Sequence, residues 1–289
     1  MKHAYLILAH HEFELLQLLV SSLDDERNDI YVHFDRKVTS PPKLEVENAT
    51  LTILECRIDV RWGDLSVVEA EFALFEAAVS SSQTYSYCHL LSGVDLPLKS
   101  QDYIHAFFDQ HVGKEFVGYY HGADGEASID RKVRRWHYFP RSFKGSGLLY
   151  QIKRVLRFIA LRFQIALGIR KHHDMEFKKG TQWVSITLPF AQYLVERREE
   201  ILSLYRYSFC ADEIFVQTAL WHSPYRQNIY DQQDEARGCM RYIGWEANVL
   251  RDFSPRDLPR LQASDALWAR KFNGQNMEFL RQVILFNRY

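Results

Sequence analysis

Short apolar runs alternate with helix-period segments through the first hundred residues, and that alternation narrows the fold more than any other feature. Residues 4–9 form an apolar run long enough for one buried strand, and residues 13–23 follow with leucines at helical spacing (Leu15, Leu16, Leu19, Leu23). Residues 30–34 and 51–55 read as further strands. A helix is expected from Ser66, where Ser66 and Glu69 have capping-box spacing, through Phe72 and Phe75 to the polar run 80–82. Residues 85–91 read as another strand, and Pro97 is expected to stop regular structure after it. Strands separated by helices imply an α/β protein with a parallel sheet.

The second half repeats the grammar less regularly. Residues 182–186 read as a strand and 190–205 as a helix with Pro189 near its start. Residues 212–221 read as a shorter helix, 240–243 as a late strand and 264–272 as a late helical turn. With 47% hydrophobic and 14% aromatic residues over 289 positions, the chain can bury a substantial core. It reads as one domain over 1–289, with a first half at 1–125 and a second at 126–289.

The net charge of -1 argues against a general nucleic-acid binder. It conceals an asymmetry, because residues 131–173 carry twelve Lys/Arg and no Asp or Glu. Within this segment, residues 148–169 are long enough to span a bilayer, but Lys153, Arg154, Arg157 and Arg162 make spanning costly. Leu148, Ile152, Leu156, Ile159, Phe163 and Ala166 follow one helical line, with Lys153, Arg157 and Gln164 off it. Two readings stay open: a basic amphipathic helix in peripheral contact with an anionic membrane, or a core-facing helix with a solvated basic side. The start of the chain shows no secretory signal. Cys56, Cys88, Cys210 and Cys239 form no CxxC pair, so reduced thiols in a cytoplasmic protein are expected.

The candidate chemical residues are individually modest. Asp35 closes a strand where α/β sheets bind ligands, and is equally well a capping aspartate. Asp95 follows Gly93 at another strand end and is equally well a turn residue. Asp212 and Glu213 open an expected helix, where the dipole explains Asp212 better than Glu213. Arg241 lies in an apolar strand and is expected to point at water or an anion. Lys271 is by itself a solvated cation. His10-His11 has no third ligand at useful spacing, and there is no Asp-x-Asp motif, so no metal site is expected.

Taken in order, Ala4-Tyr5-Leu6-Ile7-Leu8-Ala9-His10, Tyr31-Val32-His33-Phe34-Asp35, Leu91-Ser92-Gly93-Val94-Asp95-Leu96-Pro97-Leu98-Lys99, Lys179-Gly180-Thr181-Gln182-Trp183, Asp212-Glu213, Arg241-Tyr242-Ile243 and Ala269-Arg270-Lys271-Phe272 resemble the core-2/I-branching family, glycosyltransferase family 14. Its members include branching N-acetylglucosaminyltransferases and peptide O-xylosyltransferases. The resemblance implies a GT-A type fold with a Rossmann-like sheet, a UDP-sugar donor, a glycan acceptor and inversion without a metal or other cofactor. It implies Glu213 as base and Arg241 with Lys271 on the donor diphosphate. It places His10, Asp35 and Trp62 at the nucleotide, and Asp95, Trp183 and Asp212 near the donor sugar or acceptor. Neither the N-terminal anchor nor the disulfide cysteines of the animal members are expected here, and a bacterial, cytoplasmic relative in surface-glycan synthesis is the expectation. A lipid-linked acceptor would suit membrane contact. The alternative is a non-catalytic nucleotide-sugar or glycan-binding protein on the same fold.

Overall fold

A computed structural model describes residues 1–246 and 249–286. Four parallel strands build the floor: β1 (Lys2–Ala9), β2 (Asn28–Phe34), β3 (Thr50–Ile53) and β4 (Tyr85–Ser92), with α1 (Phe13–Ser22) and α2 (Ser66–Val79) on the crossovers. The chain continues through β5 (Leu96–Pro97), α3 (Gln101–Gln110), α4 (Gly125–Lys132) and α5 (Leu148–Ala166). Then β6 (Ser185–Thr187) joins antiparallel to β4, giving the order β3-β2-β1-β4-β6. There follow α6 (Leu188–Glu196), α7 (Arg198–Tyr205), α8 (Phe215–Trp221), α9 (Glu235–Cys239), β7 (Arg241–Ile243), β8 (Trp245–Glu246) and β9 (Val249–Leu250). The last elements are α10 (Leu258–Gln262), β10 (Trp268–Arg270) and α11 (Met277–Phe286). A small sheet of order β5-β10-β7 stands beside the large one.

Side-chain alternation explains why β1 is apolar almost throughout. Ala4 and Leu6 face one core cluster with Phe72 and Phe75 of α2 and Phe215 of α8. Tyr5 and Ile7 face another with Leu15, Leu16 and Leu19 of α1, Phe108 of α3 and Trp268 of β10. Both faces are covered, as parallel sheets require. Each cluster draws on residues from either side of residue 125.

The α/β expectation and the positions of β1 to β4, α1 and α2 agree with this architecture. Several local expectations do not. Ser66 is already helical, and its Oγ accepts from Arg61 N (2.9 Å), so Ser66 and Glu69 form no capping box. Pro97 closes not β4 but a further two-residue strand, β5, as its last residue. It pairs with Trp268 on an edge strand, where a missing N–H is tolerated. The expected helix 190–205 breaks at Arg197 into α6 and α7. Asp212 and Glu213 sit in a 3-10 turn (Ala211–Glu213) that Ile214, with extended φ, separates from α8. The late helical turn is instead strand β10, because Trp268 and Ala269 fill the seam between β5 and β7.

The largest surprise is the mounting of α5. Of its side chains only Gln164 is fully buried, and the apolar line faces outward. The core-facing alternative for this helix is therefore overturned. Polar groups, not leucines, fasten it to the body: Gln164 accepts from Trp136 N (2.8 Å) and donates to Trp136 O (3.0 Å).

Candidate active site

The C-terminal ends of β1, β2 and β4 deliver His10, Asp35 and the turn 92–95 to one edge of the sheet, where a parallel sheet opens its crevice. His10 and Asp35 line a cleft of about 300 Å³ with Phe13, Lys37 and Ser40. Asp35 is buried and held: Oδ1 accepts from Lys37 N (2.9 Å), and Oδ2 pairs with Lys37 Nζ (2.6 Å). Trp62 is 59% exposed, and its indole meets the Phe209 ring edge-on at 5.3 Å. It is a surface aromatic, available to a flat ligand, rather than a core residue.

Asp95 turns inward. Its Oδ2 accepts from Ser92 N (2.9 Å) and its Oδ1 from Arg270 Nη1 (2.9 Å). Burial pushes the Asp95 carboxyl above its usual range, and Arg270 opposes that shift. The Arg270 guanidinium lies 4.2 Å over the ring of the buried Trp183, which supports the cation. Lys271, next in sequence, is one-third exposed and 3.3 Å from Asp252.

Arg241 departs from its expected place. It points at neither water nor an open anion site. At 1% exposure it donates to Cys239 O (2.8 Å), Val184 O (3.1 Å) and Ser185 Oγ (3.0 Å), and rests 4.1 Å over Trp268. Carbonyls and a π-face make a buried cation tolerable where no counter-ion touches it. Burial lowers its pKa to about 10. Arg241 thus locks β6 and β10 together, while Arg270 and Lys271 are less buried, at 16% and 35% side-chain exposure.

A separate turn, before α8, carries the acids. Cys210, in left-handed conformation (φ 50°), turns the chain so that Asp212 points inward and Glu213 stays partly exposed. Glu213 pairs with Lys132 at the end of α4. Burial works to lower the Lys132 pKa, but the attraction of Glu213 prevails and raises it. Asp212 is raised by burial and then by Glu213, and its Oδ1 lacks a hydrogen-bond partner. Beneath it lies Glu71 of α2, raised well above a normal carboxyl by burial and then by Asp212.

Residues 179–183 connect these acids to Arg270. Gly180 N donates to Glu213 O (2.9 Å), Gln182 donates to Glu71 (2.6 Å), and Trp183 supports Arg270. The crossing demands glycine, since a Cβ on Gly180 would stand 1.9 Å from Gly118 O. Through this short segment the structure links Glu213 and Glu71 to Trp183, Arg270 and Asp95; Lys271 pairs instead with Asp252. A second cleft of about 270 Å³, lined by Tyr120, His121, Glu126, Lys179 and Trp221, opens beside α4.

The Core-2/I-Branching enzyme family model matches residues 3–262. The chain belongs to that family. The match takes in His10, Asp35, Asp95, Trp183, Glu213 and Arg241, and ends before Arg270 and Lys271. The Drosophila melanogaster protein "Xylosyltransferase oxt" is 25% identical over 268 residues, covering 86% of this chain and 28% of that protein. A Homo sapiens N-acetyllactosaminide beta-1,6-N-acetylglucosaminyl-transferase is 24% identical, covering 93% of this chain and 67% of that enzyme. The chain thus spans little more than a quarter of the fly relative. Mouse xyloside xylosyltransferase 1 in its apo form is a loose structural neighbour, at 10% identity and TM-score 0.37 over 94% of this chain and 98% of that one.

For this family member, reading the sequence missed Lys37, Glu71, Lys132 and Arg270. Arg270 lay inside a quoted motif, one position before Lys271. Lys37 stands two residues after Asp35, its partner. Glu71 and Lys132 carry no local signal and become visible only when the fold sets them against Asp212 and Glu213.

Proposed function

We propose that this protein is an inverting glycosyltransferase of GT-A type that moves a sugar from a UDP donor to an acceptor hydroxyl. The observation that carries the reading is Glu213: a partly exposed carboxylate paired with Lys132 and tied through Gly180 to the segment that underlies Arg270. A carboxylate fixed there can accept a proton, and Arg270 and Lys271 can meet a leaving phosphate.

In the proposed step the acceptor oxygen attacks the anomeric carbon and its O–H bond breaks, with the proton passing to Glu213. The bond from the anomeric carbon to the diphosphate oxygen breaks on the opposite side, and UDP leaves. Lys271 and Arg270 stabilise the charge that develops on the diphosphate. Arg241, first expected at the phosphates, holds Ser185 and Trp268 in place behind them. His10 and Asp35 border the nucleoside cleft, and Trp62 offers a stacking face. The second cleft, with exposed aromatic and amide groups, suits the acceptor glycan. Asp95 and Asp35 are already matched with Arg270 and Lys37, which supports charge stabilisation by side chains over a metal. N-acetylglucosamine and xylose are the proposed donor sugars, by likeness to the relatives, and surface-glycan synthesis on a lipid-linked acceptor is the proposed setting.

Incubation with UDP-N-acetylglucosamine and UDP-xylose, with and without EDTA, tests this reading through UDP release. Release that survives chelation, and that falls when Lys271 is changed to Ala, is the expected result. Absence of UDP binding, or activity abolished by EDTA and restored by Mn²⁺, would reject it.

A further inference from the structure

Helix α5 turns its apolar side away from the protein. On the inner side Arg157 donates to Ser142 O (2.5 Å) and lies 5.0 Å from the Phe143 ring, and Tyr150 donates to Phe143 O (3.2 Å). Arg135, itself buried, donates to Gln164 O (3.0 Å) and to Ile169 O. On the outer side Leu148, Ile152, Val155, Leu156, Ile159 and Phe163 are all exposed, from 46% to 78%. At helical spacing these six fall within an arc of about 100°. Tyr138 and Phe139, also exposed, lie before the helix, and Leu167 follows it.

The charge around this stripe selects its occupant. Arg154 and Arg162 are exposed on one flank, and Lys153 lies on the other. Exposed Arg141 and Lys144 precede the helix. No acid occurs between 131 and 173, and the nearby Asp130 is taken up by Arg135 and Arg170. A second copy would set the same cations against each other. An acidic protein would need a groove matched to all six apolar side chains as well as carboxylates placed at the flanking cations. An anionic bilayer satisfies both, with acyl chains under the stripe and phosphates beside the flanking cations. No helix among the described residues is long and apolar enough to cross a membrane.

We propose that α5 lies flat in the interface of an anionic bilayer and holds the transfer site beside it. The link is short. Phe143 touches Phe209 (4.6 Å), the residue before Cys210, and Phe209 N donates to Lys132 O (2.8 Å). A membrane-borne glycan is thereby the acceptor class, and that part alone rests on the glycosyltransferase reading.

The test is cosedimentation of the whole protein with vesicles, without sugar donor. Wild type should bind phosphatidylcholine vesicles containing about one-third phosphatidylglycerol at least roughly tenfold better than pure phosphatidylcholine. Salt should weaken that binding without abolishing it, since burial of the stripe is not screened. The variant Ile152→Ser, Leu156→Ser, Ile159→Ser should lose the salt-resistant part, and Arg154→Glu with Arg162→Glu the salt-sensitive part. All five side chains are exposed, so thermal midpoint and transfer to a soluble acceptor should stay at wild-type values. Failure of wild type to bind anionic vesicles at low salt would overturn the docking. So would unchanged binding by the triple variant, or a dimer in solution that the triple variant dissolves. Vesicle binding without any sugar transfer would instead leave docking standing and reject the acceptor.

Discussion

Changing Arg270 to Met should destabilise the protein by about 3–5 kcal/mol at pH 8, because it strips the partner from a buried charge. Asp95 is 1% exposed, and Arg270 supplies its ion pair at 2.9 Å. Two features adjust the figure. The Ser92 N–H continues to support Asp95, which pulls toward the lower end. The lost stacking of Arg270 on Trp183 adds roughly 0.5–2 kcal/mol, which pulls toward the upper end. Protonation relieves an orphaned carboxylate, and the Asp95 pKa is already raised by burial, so the penalty should be smaller at pH 5 than at pH 8. Adding Asp95→Asn removes the orphaned charge. The double variant should then recover about 2 kcal/mol relative to the sum of the single changes. Urea denaturation of the four proteins at both pH values measures the cycle. A single-variant cost below about 1 kcal/mol, or strict additivity, would refute the buried-pair reasoning.

Other positions give independent checks. Glu71→Gln keeps an acceptor for Gln182 and removes the charge beside Asp212. A carboxyl whose folded pKa is raised stabilises the fold below its unfolded pKa and loses that contribution as pH rises, so the variant's thermal midpoint should fall less than wild type's between acidic and alkaline buffer. Gly180→Ala puts a methyl group 1.9 Å from Gly118 O and should cost about 1–3 kcal/mol or more, together with transfer activity, by calorimetry and assay. Trp62→Ala should leave stability within about 0.5 kcal/mol, since the ring is exposed, yet weaken uridine binding in a titration.

What could be read from the sequence followed from locality. The runs at β1, β2 and β4 and the leucines of α1 announce themselves because neighbouring residues share one period. The ends of those strands then place His10, Asp35 and Asp95 on one edge. The late chain resisted the same treatment. Strand β10 is three residues long, and it is a strand because β5 and β7 flank it, a fact absent from residues 264–272 themselves. Arg241 misled for a related reason: the carbonyls that satisfy it belong to residues 184 and 239, and the ring beneath it to residue 268. Helix α5 showed its apolar line in the sequence, but only the fold shows which side of that line meets the body. Lys132 and Glu213 are 81 residues apart, and no spacing rule pairs them.

The central claim is that Glu213 accepts the acceptor's proton, and Glu213→Gln tests it most directly. The amide preserves size and hydrogen-bonding reach and removes basicity. Turnover should fall by roughly a hundredfold or more, with UDP affinity measured by titration unchanged. Near-normal turnover in that variant would contradict the account.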